Sequence, residues 1–206
     1  HMYYAYVAKR INRRPLVFHC GIHTEDDWSF NRPCSFKIMR RCDALIANTT
    51  HERNYLVSKG LDAKMIHVVG CGVDLHQFDG ANGGKFRAKL GLSNEPIVLF
   101  VGQMVAHKGV DILLEAMKEV WTQFSDARLV LAGAPTAFNS VLERMIERLD
   151  PESRSKVISI GRFSEEVKPE IFASCDVFAL PSRYESFGIA YLEAWACKKP
   201  VIGTWS

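Results

Sequence analysis

Two glutamates eight positions apart, Glu185 and Glu193, have the types and spacing that most clearly suggest chemistry. They follow a mostly apolar run at 176–180, which predicts a strand, and Glu193 falls within a predicted helix at 189–198. A polar turn before a helix N-terminus favours anions, because the first N–H groups are free and the helix dipole is positive there. At about 1.5 Å per residue, Glu193 lies roughly 7 Å along the helix, a reach from a diphosphate to ribose hydroxyls.

A simpler interpretation of the same residues remains open. Ser182 and Glu185 have the spacing of a capping box, and Glu193 would then be a solvated helix residue. Pairs of glutamates at this spacing are common, so spacing alone leaves the two interpretations evenly balanced.

A second feature that suggests anion binding is Lys108, in the sequence GQMVAHKG at 102–109. It stands just before a predicted helix at 110–124, where a lysine can meet a phosphate. The loop is not a P-loop, because G-x-x-x-x-G-K-[ST] is absent, and a surface lysine is the ordinary alternative. The sequence has neither a DxD motif nor a histidine-rich cluster, so we expect no bound metal.

Apolar runs alternate with helical patterns along most of the chain. The predicted strands are 15–19, 43–47, 64–69, 97–101, 128–132, 157–160, 176–180 and 201–203. The predicted helices are 3–12, 36–41, 49–59, 110–124, 138–149, 164–174 and 189–198, with Thr49 and Glu52 as a capping box and Ser164 as an N-cap. Strands that are apolar throughout and separated by helices predict an α/β fold with a doubly wound, Rossmann-like parallel sheet.

In such sheets ligands bind beyond the carboxyl ends of the strands. Three loops lie at that predicted edge: 102–109, 133–136 and 181–188. The glycine-rich stretch at 80–84 predicts a linker. We therefore expect a partial N-terminal domain at 3–79, a linker and lead-in segment at 80–96, and a C-terminal domain at 97–206.

Composition places the chain among soluble globular proteins. Apolar residues make up 48% and charged residues 24% of its 206 residues. No apolar run approaches the roughly 18 residues that span a bilayer, and there is no signal-peptide pattern. The six cysteines show no C-x-x-C spacing, which disfavours zinc binding and a disulfide framework and favours the cytoplasm.

The positive charge is concentrated at the front. Residues 1–60 contain ten lysines and arginines against five aspartates and glutamates. The basic clusters are Lys9 and Arg10, Arg13 and Arg14, and Lys37 with Arg40 and Arg41. A solvated surface is the common explanation, and contact with anionic lipid headgroups or a phosphorylated acceptor is the more specific one. Nucleic acid is disfavoured because no basic motif is interleaved with aromatic residues.

Three segments in order resemble one known family. VGQMVAHKGVDILLEA (101–116), RLVLAG (128–133) and PSRYESFGIAYLEAWACKKPVIGT (181–204) resemble the retaining nucleotide-sugar glycosyltransferases of GT-B architecture, the glycosyl transferases group 1. DALIANTTHERNYL (43–56) and HVVGCGVDLHQF (67–78) resemble the end of that family's acceptor-side domain and the crossover to its donor-side domain. The resemblance covers nearly all of the chain.

The resemblance implies transfer of a hexose from a UDP-, GDP- or ADP-sugar to a sugar or lipid-linked hydroxyl, with retention and without metal or other cofactor. It implies that Glu193 accepts from the ribose and that Glu185 contacts the donor sugar and stabilises its developing charge. Lys108 would neutralise the departing diphosphate. Further donor-site residues would be Gly102, Gln103, Phe187, Gly188 and Ile189, with His19, or else His23, near the donor sugar.

Two departures from the family pattern bear on activity. Gln103 stands where the family usually has arginine, so one of two expected cations is missing. The family also extends before Tyr3 and beyond Ser206, so we expect a truncated enzyme, with a mostly complete donor domain and part of an acceptor domain. An exposed sheet edge at the front would favour homo-oligomers. The alternatives are a catalytically silent nucleotide-sugar-binding fragment and an epimerase, for which the glutamate pair is the wrong signature.

Overall fold

The computed structural model describes residues 2–22 and 32–204. The chain divides into two compact units, the first comprising His1–Cys71 with Tyr184–Phe187 and the second comprising Gly72–Arg183 with Gly188–Ser206. The division after Cys71 lies eight residues before the boundary that the sequence predicts at residue 79. The predicted domain limits otherwise remain predictions.

The first unit contains a small parallel sheet with three helices. Strands β1 (Val17–His19), β2 (Ala44–Ala47) and β3 (Ile66–Val68) pair in the order β1-β2-β3. The helices are α1 (Met2–Asn12), α2 (Pro33–Met39) and α3 (Thr50–Ser58). Apolar side chains on β2, α2 and α3 form its core, with Leu45, Met39 and Leu56 fully buried.

The second unit is a doubly wound domain. Strands β4 (Ile97–Val101), β5 (Arg128–Ala132), β6 (Val157–Gly161), β7 (Val177–Leu180) and β8 (Val201–Gly203) form a parallel sheet in the order β6-β5-β4-β7-β8. The helices are α4 (Gly83–Lys89), α5 (Val110–Gln123), α6 (Asn139–Glu147), α7 (Pro151–Ser155), α8 (Lys168–Ser174) and α9 (Ile189–Ala196). The strand order reverses between β4 and β7, which is the topological switch point of such sheets. The predicted α/β Rossmann-like fold is confirmed.

Continuous runs of apolar residues account for the burial of the central strands β4 and β5. β4 and β5 bury nearly every side chain, including Leu99, Phe100, Leu129 and Leu131, because helices cover both faces of the sheet. Their bounds equal the predicted ones. Burying each such side chain contributes roughly 1.5–3 kcal/mol, so these two strands anchor the domain.

The predicted linker differs from the structure. Residues 83–89 form α4, which packs against α8 and buries Phe86 in the core of the second unit. Gly83 allows a close approach here, since a β-carbon on it would lie 2.3 Å from the carbonyl oxygen of Ala173. Glycine-rich composition predicts a linker and a close contact equally well.

Some helix boundaries also differ. The helix predicted at 36–41 is α2, Pro33–Met39. α8 begins at Lys168 rather than at Ser164, with Val167 as its N-cap. The predicted helix at 138–149 ends earlier, and Asp150 starts the separate α7 by accepting from the Ser153 N–H at 2.9 Å. α9 starts at Ile189, as predicted, with Gly188 as its N-cap, so the capping-box interpretation of Ser182 and Glu185 is wrong.

Among residues 2–22 and 32–204, no helix has the length and apolar character needed to cross a membrane. Within the same described ranges, no three or more histidine, cysteine, aspartate or glutamate side chains are grouped so as to hold a metal ion.

Candidate functional site

In the second unit, the loops that follow β4 and β7 lie side by side because these strands are neighbours. The backbone N–H of Arg183 donates to the carbonyl oxygen of His107 at 2.7 Å. Gly109 packs directly against the carbonyl of Pro181, and its φ of +70° is left-handed. These contacts make the two loops one structural feature at the carboxyl edge of the sheet, the place where doubly wound folds bind ligands.

A bidentate ion pair, which no sequence motif predicts, connects the loop after β7 to the first turn of α5, just beyond the loop after β4. The Arg183 guanidinium donates to both carboxylate oxygens of Asp111, at 3.1 and 2.8 Å, and to the carbonyl oxygen of Ala106. The hydrogen bond from Arg183 holds the pKa of Asp111 below its usual value. These residues are 72 positions apart, so the one signal that the sequence offers is opposite charge in a predicted loop (Arg183) and at a predicted helix start (Asp111).

The predicted diphosphate residues lie together on the loop after β4. Gly102 follows the last residue of β4 and donates its N–H to the Ala132 carbonyl at 2.9 Å. Gln103 is exposed, and Lys108 is half-buried at the end of a short 3-10 helix, Ala106–Lys108, that leads directly into α5. The structure thus gives all three residues the loop position that the sequence predicts.

Helix α9, which follows the loop after β7, begins without a side-chain cap. Gly188 is the N-cap, in the left-handed region at φ +82°, and it offers no side chain to the first N–H groups. Ile189, the first helical residue, is exposed. An uncapped first turn presents backbone N–H groups and the positive end of the helix dipole to an anion.

Glu193 lies in the second turn of α9 and is not a solvated residue. Its side chain is 12% exposed, and its Oε1 contacts the Lys168 Nζ at 2.9 Å. Lys168 also contacts Glu165 Oε2 at 2.5 Å. Burial acts to lower the pKa of Lys168, but hydrogen bonds to Glu165 and Glu193 outweigh it, and the pKa lies above its usual value. No motif in the sequence singles out Lys168.

Glu185 and Phe187 belong to the segment Tyr184–Phe187 that groups with the first unit. There the Phe187 ring lies beside Gly70, where a β-carbon would meet ring atom Cε2 at 3.6 Å. The Glu185 side chain is half-buried, and its Oε1 accepts from the N–H of Ser186 at 3.3 Å.

His19 stands at the carboxyl end of β1 with Asn48 as its polar neighbour. Its Nε2 lies 2.6 Å from the Asn48 Oδ1, which also accepts from the Cys71 thiol at 3.3 Å. An amide oxygen only accepts, so Nε2 is the donor in this hydrogen bond. His19 is exposed and Asn48 is buried. His23, the other predicted histidine, lies outside the described residues.

Glu52 holds the backbone near His19 and Asn48 in place. The predicted capping box is half formed: Thr49 Oγ1 accepts from the Glu52 N–H at 3.0 Å. The Glu52 carboxylate instead accepts from the N–H groups of Asn48 and Ile22, each at 2.6 Å, and the residue is 2% exposed. Glu52 therefore fixes the chain after β1 and after β2, where His19 and Asn48 lie.

Two Rossmann-like parallel sheets, one carrying a lysine and an uncapped helix N-terminus at its switch point, define a protein of GT-B architecture. The comparisons agree. The sequence profile of glycosyl transferases group 1 matches residues 84–205, and that of Glycosyltransferase Family 4 matches residues 1–77. The chain therefore belongs to the glycosyl transferases group 1 family, as its motifs predict.

Curated relatives are moderately similar. The chain is 33% identical over 174 residues to D-inositol 3-phosphate glycosyltransferase of Rhodococcus jostii (strain RHA1), covering 81% of this chain and 38% of the relative. It is 30% identical over 176 residues to mannosylfructose-phosphate synthase of Agrobacterium fabrum (strain C58), with coverage of 81% and 38%. The chain thus spans about two-fifths of the length of these relatives.

Solved structures share the fold. Anabaena HepE in complex with UDP and glucose superimposes with a TM-score of 0.87 at 25% identity, covering 98% of this chain and 56% of that one. A glycosyltransferase from Rickettsia africae has a TM-score of 0.75 at 22% identity, with coverage of 98% and 60%, and this likeness concerns the fold alone.

Proposed function

We propose that the protein transfers a hexose from a nucleotide diphosphate sugar to a hydroxyl acceptor with retention at the anomeric carbon. The observation that carries this proposal is the switch-point site of the second unit. This site contains Lys108, the uncapped N-terminus of α9, and Glu193, whose Oε1 is paired with Lys168. All of these residues lie within the region that matches the family.

The site suits each part of a nucleotide diphosphate. Lys108 and the first N–H groups of α9 supply positive charge for the diphosphate. Gly102, Gln103 and the backbone of Gly188 and Ile189 complete its surroundings. In the same proposal, Glu193 accepts from the ribose hydroxyls.

The transfer step takes place at the sugar of the donor. Transfer forms a bond between the acceptor oxygen and the anomeric carbon and breaks the bond from that carbon to the β-phosphate oxygen. The acceptor's proton leaves with the diphosphate. Glu185 contacts the sugar hydroxyls and offsets the positive charge that develops on the ring, and His19 and the backbone of Phe187 lie near the sugar. Lys108 and the helix dipole stabilise the leaving group without a metal ion.

We propose uracil as the base of the donor nucleotide, because HepE was solved with UDP-glucose and the likeness to HepE covers 98% of this chain. The acceptor we propose is a sugar or a lipid-linked sugar. We further propose that the protein is cytoplasmic and touches an anionic membrane surface. Arg10, Arg13 and Arg14 line one cleft with the ion pair of Lys9 and Asp43, which leaves the cleft a net positive charge.

Calorimetric titration with UDP, GDP, ADP and uridine tests the donor site. We expect micromolar binding of UDP. Lys108→Ala should weaken UDP binding about tenfold and leave uridine binding unchanged, because a charge-assisted bond contributes about 1.5–3 kcal/mol. Glu193→Ala should weaken both ligands, and Glu143→Ala, at an exposed position on α6, should weaken neither. Equal effects of all three substitutions would contradict the proposed site.

A test of retention and of metal independence requires a turnover assay. With UDP-glucose as donor, UDP release in the presence of EDTA and NMR assignment of the product's anomeric proton report both. A product of inverted configuration, or activity that EDTA abolishes, would contradict these parts of the proposal.

A catalytically silent nucleotide-sugar-binding protein is the second candidate. Gln103 favours it, because an amide lacks the charge that roughly doubles the strength of a hydrogen bond to phosphate. Binding of UDP-glucose without transfer or hydrolysis would support this candidate. Gain of UDP release in Gln103→Arg would identify the missing cation as the reason.

A further inference from the structure

Lys168 pairs with two carboxylates that differ sharply in exposure. It is the first residue of α8, and its Nζ contacts Glu193 at 2.9 Å and Glu165 at 2.5 Å. Glu193 is 12% exposed, whereas Glu165 is 77% exposed. Water solvates the exposed Glu165 with or without the lysine, but a nearly buried carboxylate depends on a counter-charge. Glu193 is therefore the carboxylate for which Lys168 matters.

The ion pair occupies one oxygen of Glu193 and leaves the other available. Lys168 contacts Oε1, and among the described residues no hydrogen bond reaches Oε2. A carboxylate accepts at both oxygens, so Glu193 retains acceptor capacity. A fixed carboxylate with one free oxygen can accept from a hydroxyl group without first losing its own conformational freedom.

The position of Lys168 in the fold agrees with such a role. α8 follows β6 and returns to β7, so its first residue lies at the carboxyl edge of the sheet, as does the start of α9. α8 and α9 pack against each other. Lys168 thus reaches Glu193 from the same edge that carries the Lys108 loop.

We propose that Lys168 is the positioning residue of the ribose subsite: its ion pair to Oε1 orients Glu193 so that Oε2 accepts from a ribose hydroxyl of the donor. This inference rests on the proposed function. It makes discrimination for the ribose hydroxyls, rather than donor affinity in general, depend on Lys168.

The test compares UDP with 2′,3′-dideoxy-UDP, which carries the same charge and base but lacks both hydroxyls. The ratio of the two dissociation constants isolates the ribose contact from any general attraction of Lys168 for the diphosphate. In the unsubstituted protein we expect UDP to bind at least about tenfold more tightly, the effect of a hydrogen bond to a charged acceptor. Glu193→Ala should bring the ratio close to one.

Lys168→Met should lower the ratio as Glu193→Ala does, and Lys168→Arg should restore most of it. The double variant Glu193→Ala/Lys168→Met should show no further loss, because Lys168 acts through Glu193. Glu165→Gln and Lys89→Met are matched controls that remove other charges at α8, since Lys89 pairs with Glu170 on that helix at 3.4 Å. Both controls should keep the ratio unchanged.

The outcomes separate the two proposals. If the unsubstituted protein does not bind UDP, the proposed function fails and this inference fails with it. If Glu193→Ala removes the discrimination but Lys168→Met keeps it, the function stands and the inference is overturned. Thermal unfolding of each variant accompanies the titrations. If Lys168→Met does not fold, Lys168→Gln takes its place, and an unchanged ratio in that variant overturns the inference equally.

Discussion

Substituting Gly109 by alanine should separate the two loops that form the candidate donor site. Gly109 has a φ of +70°, and an added β-carbon would lie 1.8 Å from the carbonyl oxygen of Pro181. Because real β-carbons essentially never come within 3.0 Å of another heavy atom, the loops must move apart by more than about 1 Å. The Arg183 N–H bond to His107 and the Asp111 ion pair lie across the same junction and resist that movement.

The size of the effect follows from two contributions. The left-handed conformation costs an alanine roughly 1–2 kcal/mol, and forcing an extra carbon into a packed contact costs roughly 1–3 kcal/mol more. Gly91 is a matched control, because its φ is also +70° but an added β-carbon would meet nothing within 4 Å. Gly91→Ala should therefore lose about 1–2 kcal/mol of unfolding free energy, and Gly109→Ala about 2–5 kcal/mol.

Urea unfolding of the two variants beside the unsubstituted protein measures this difference. Titration with UDP supplies a second measurement. Gly109→Ala should weaken UDP binding at least about tenfold, because displacing Lys108 by about 1 Å lengthens the charge-assisted bonds proposed between its ammonium group and the diphosphate. Gly91→Ala should leave binding unchanged. Equal losses of stability in the two variants would refute the argument, since only the contact with Pro181 distinguishes them.

Three further outcomes are expected. Arg183 depresses the pKa of Asp111, so the ion pair stabilises the fold above the ordinary aspartate pKa of about 3.9 and is lost as pH falls through the lower native value. The Asp111→Asn deficit in urea unfolding, about 1 kcal/mol at pH 7, should thus shrink below about pH 4, and a constant deficit would contradict this. Glu52→Ala leaves the buried N–H groups of Ile22 and Asn48 without an acceptor and should lower the free energy of unfolding by about 2–5 kcal/mol. Glu52→Gln should lower it by about half as much in the same assay. Val17, on edge strand β1, is 55% exposed, so we expect self-association that Val17→Lys weakens; light scattering that shows a monomer before substitution would contradict it.

Much of the fold could be predicted because its signals are local. The strands at 97–101 and 128–132 are fully apolar runs bounded by polar residues, and such runs predict buried strands to the residue. Helix starts are harder to predict from sequence, because Ser164 and Lys168 both follow turn-forming sequence. The structure has a turn at 165–167 and begins α8 at Lys168. The glycine-rich stretch at 80–84 predicts a linker, because the sequence does not show that the backbone of Ala173 approaches Gly83.

The same distinction separates the residues of the candidate site. The sequence by itself determined the family, the parallel α/β architecture and the loops that carry Lys108, Glu185 and Glu193, because each depends on residues close together in the chain. Only the tertiary structure decided that Arg183 clamps Asp111 across 72 positions, that Lys168 holds Glu193 across 25, and that Asn48 contacts His19 across 29. The physical reason is that these pairs meet through strand order and helix packing, which bring the carboxyl ends of distant strands to one edge.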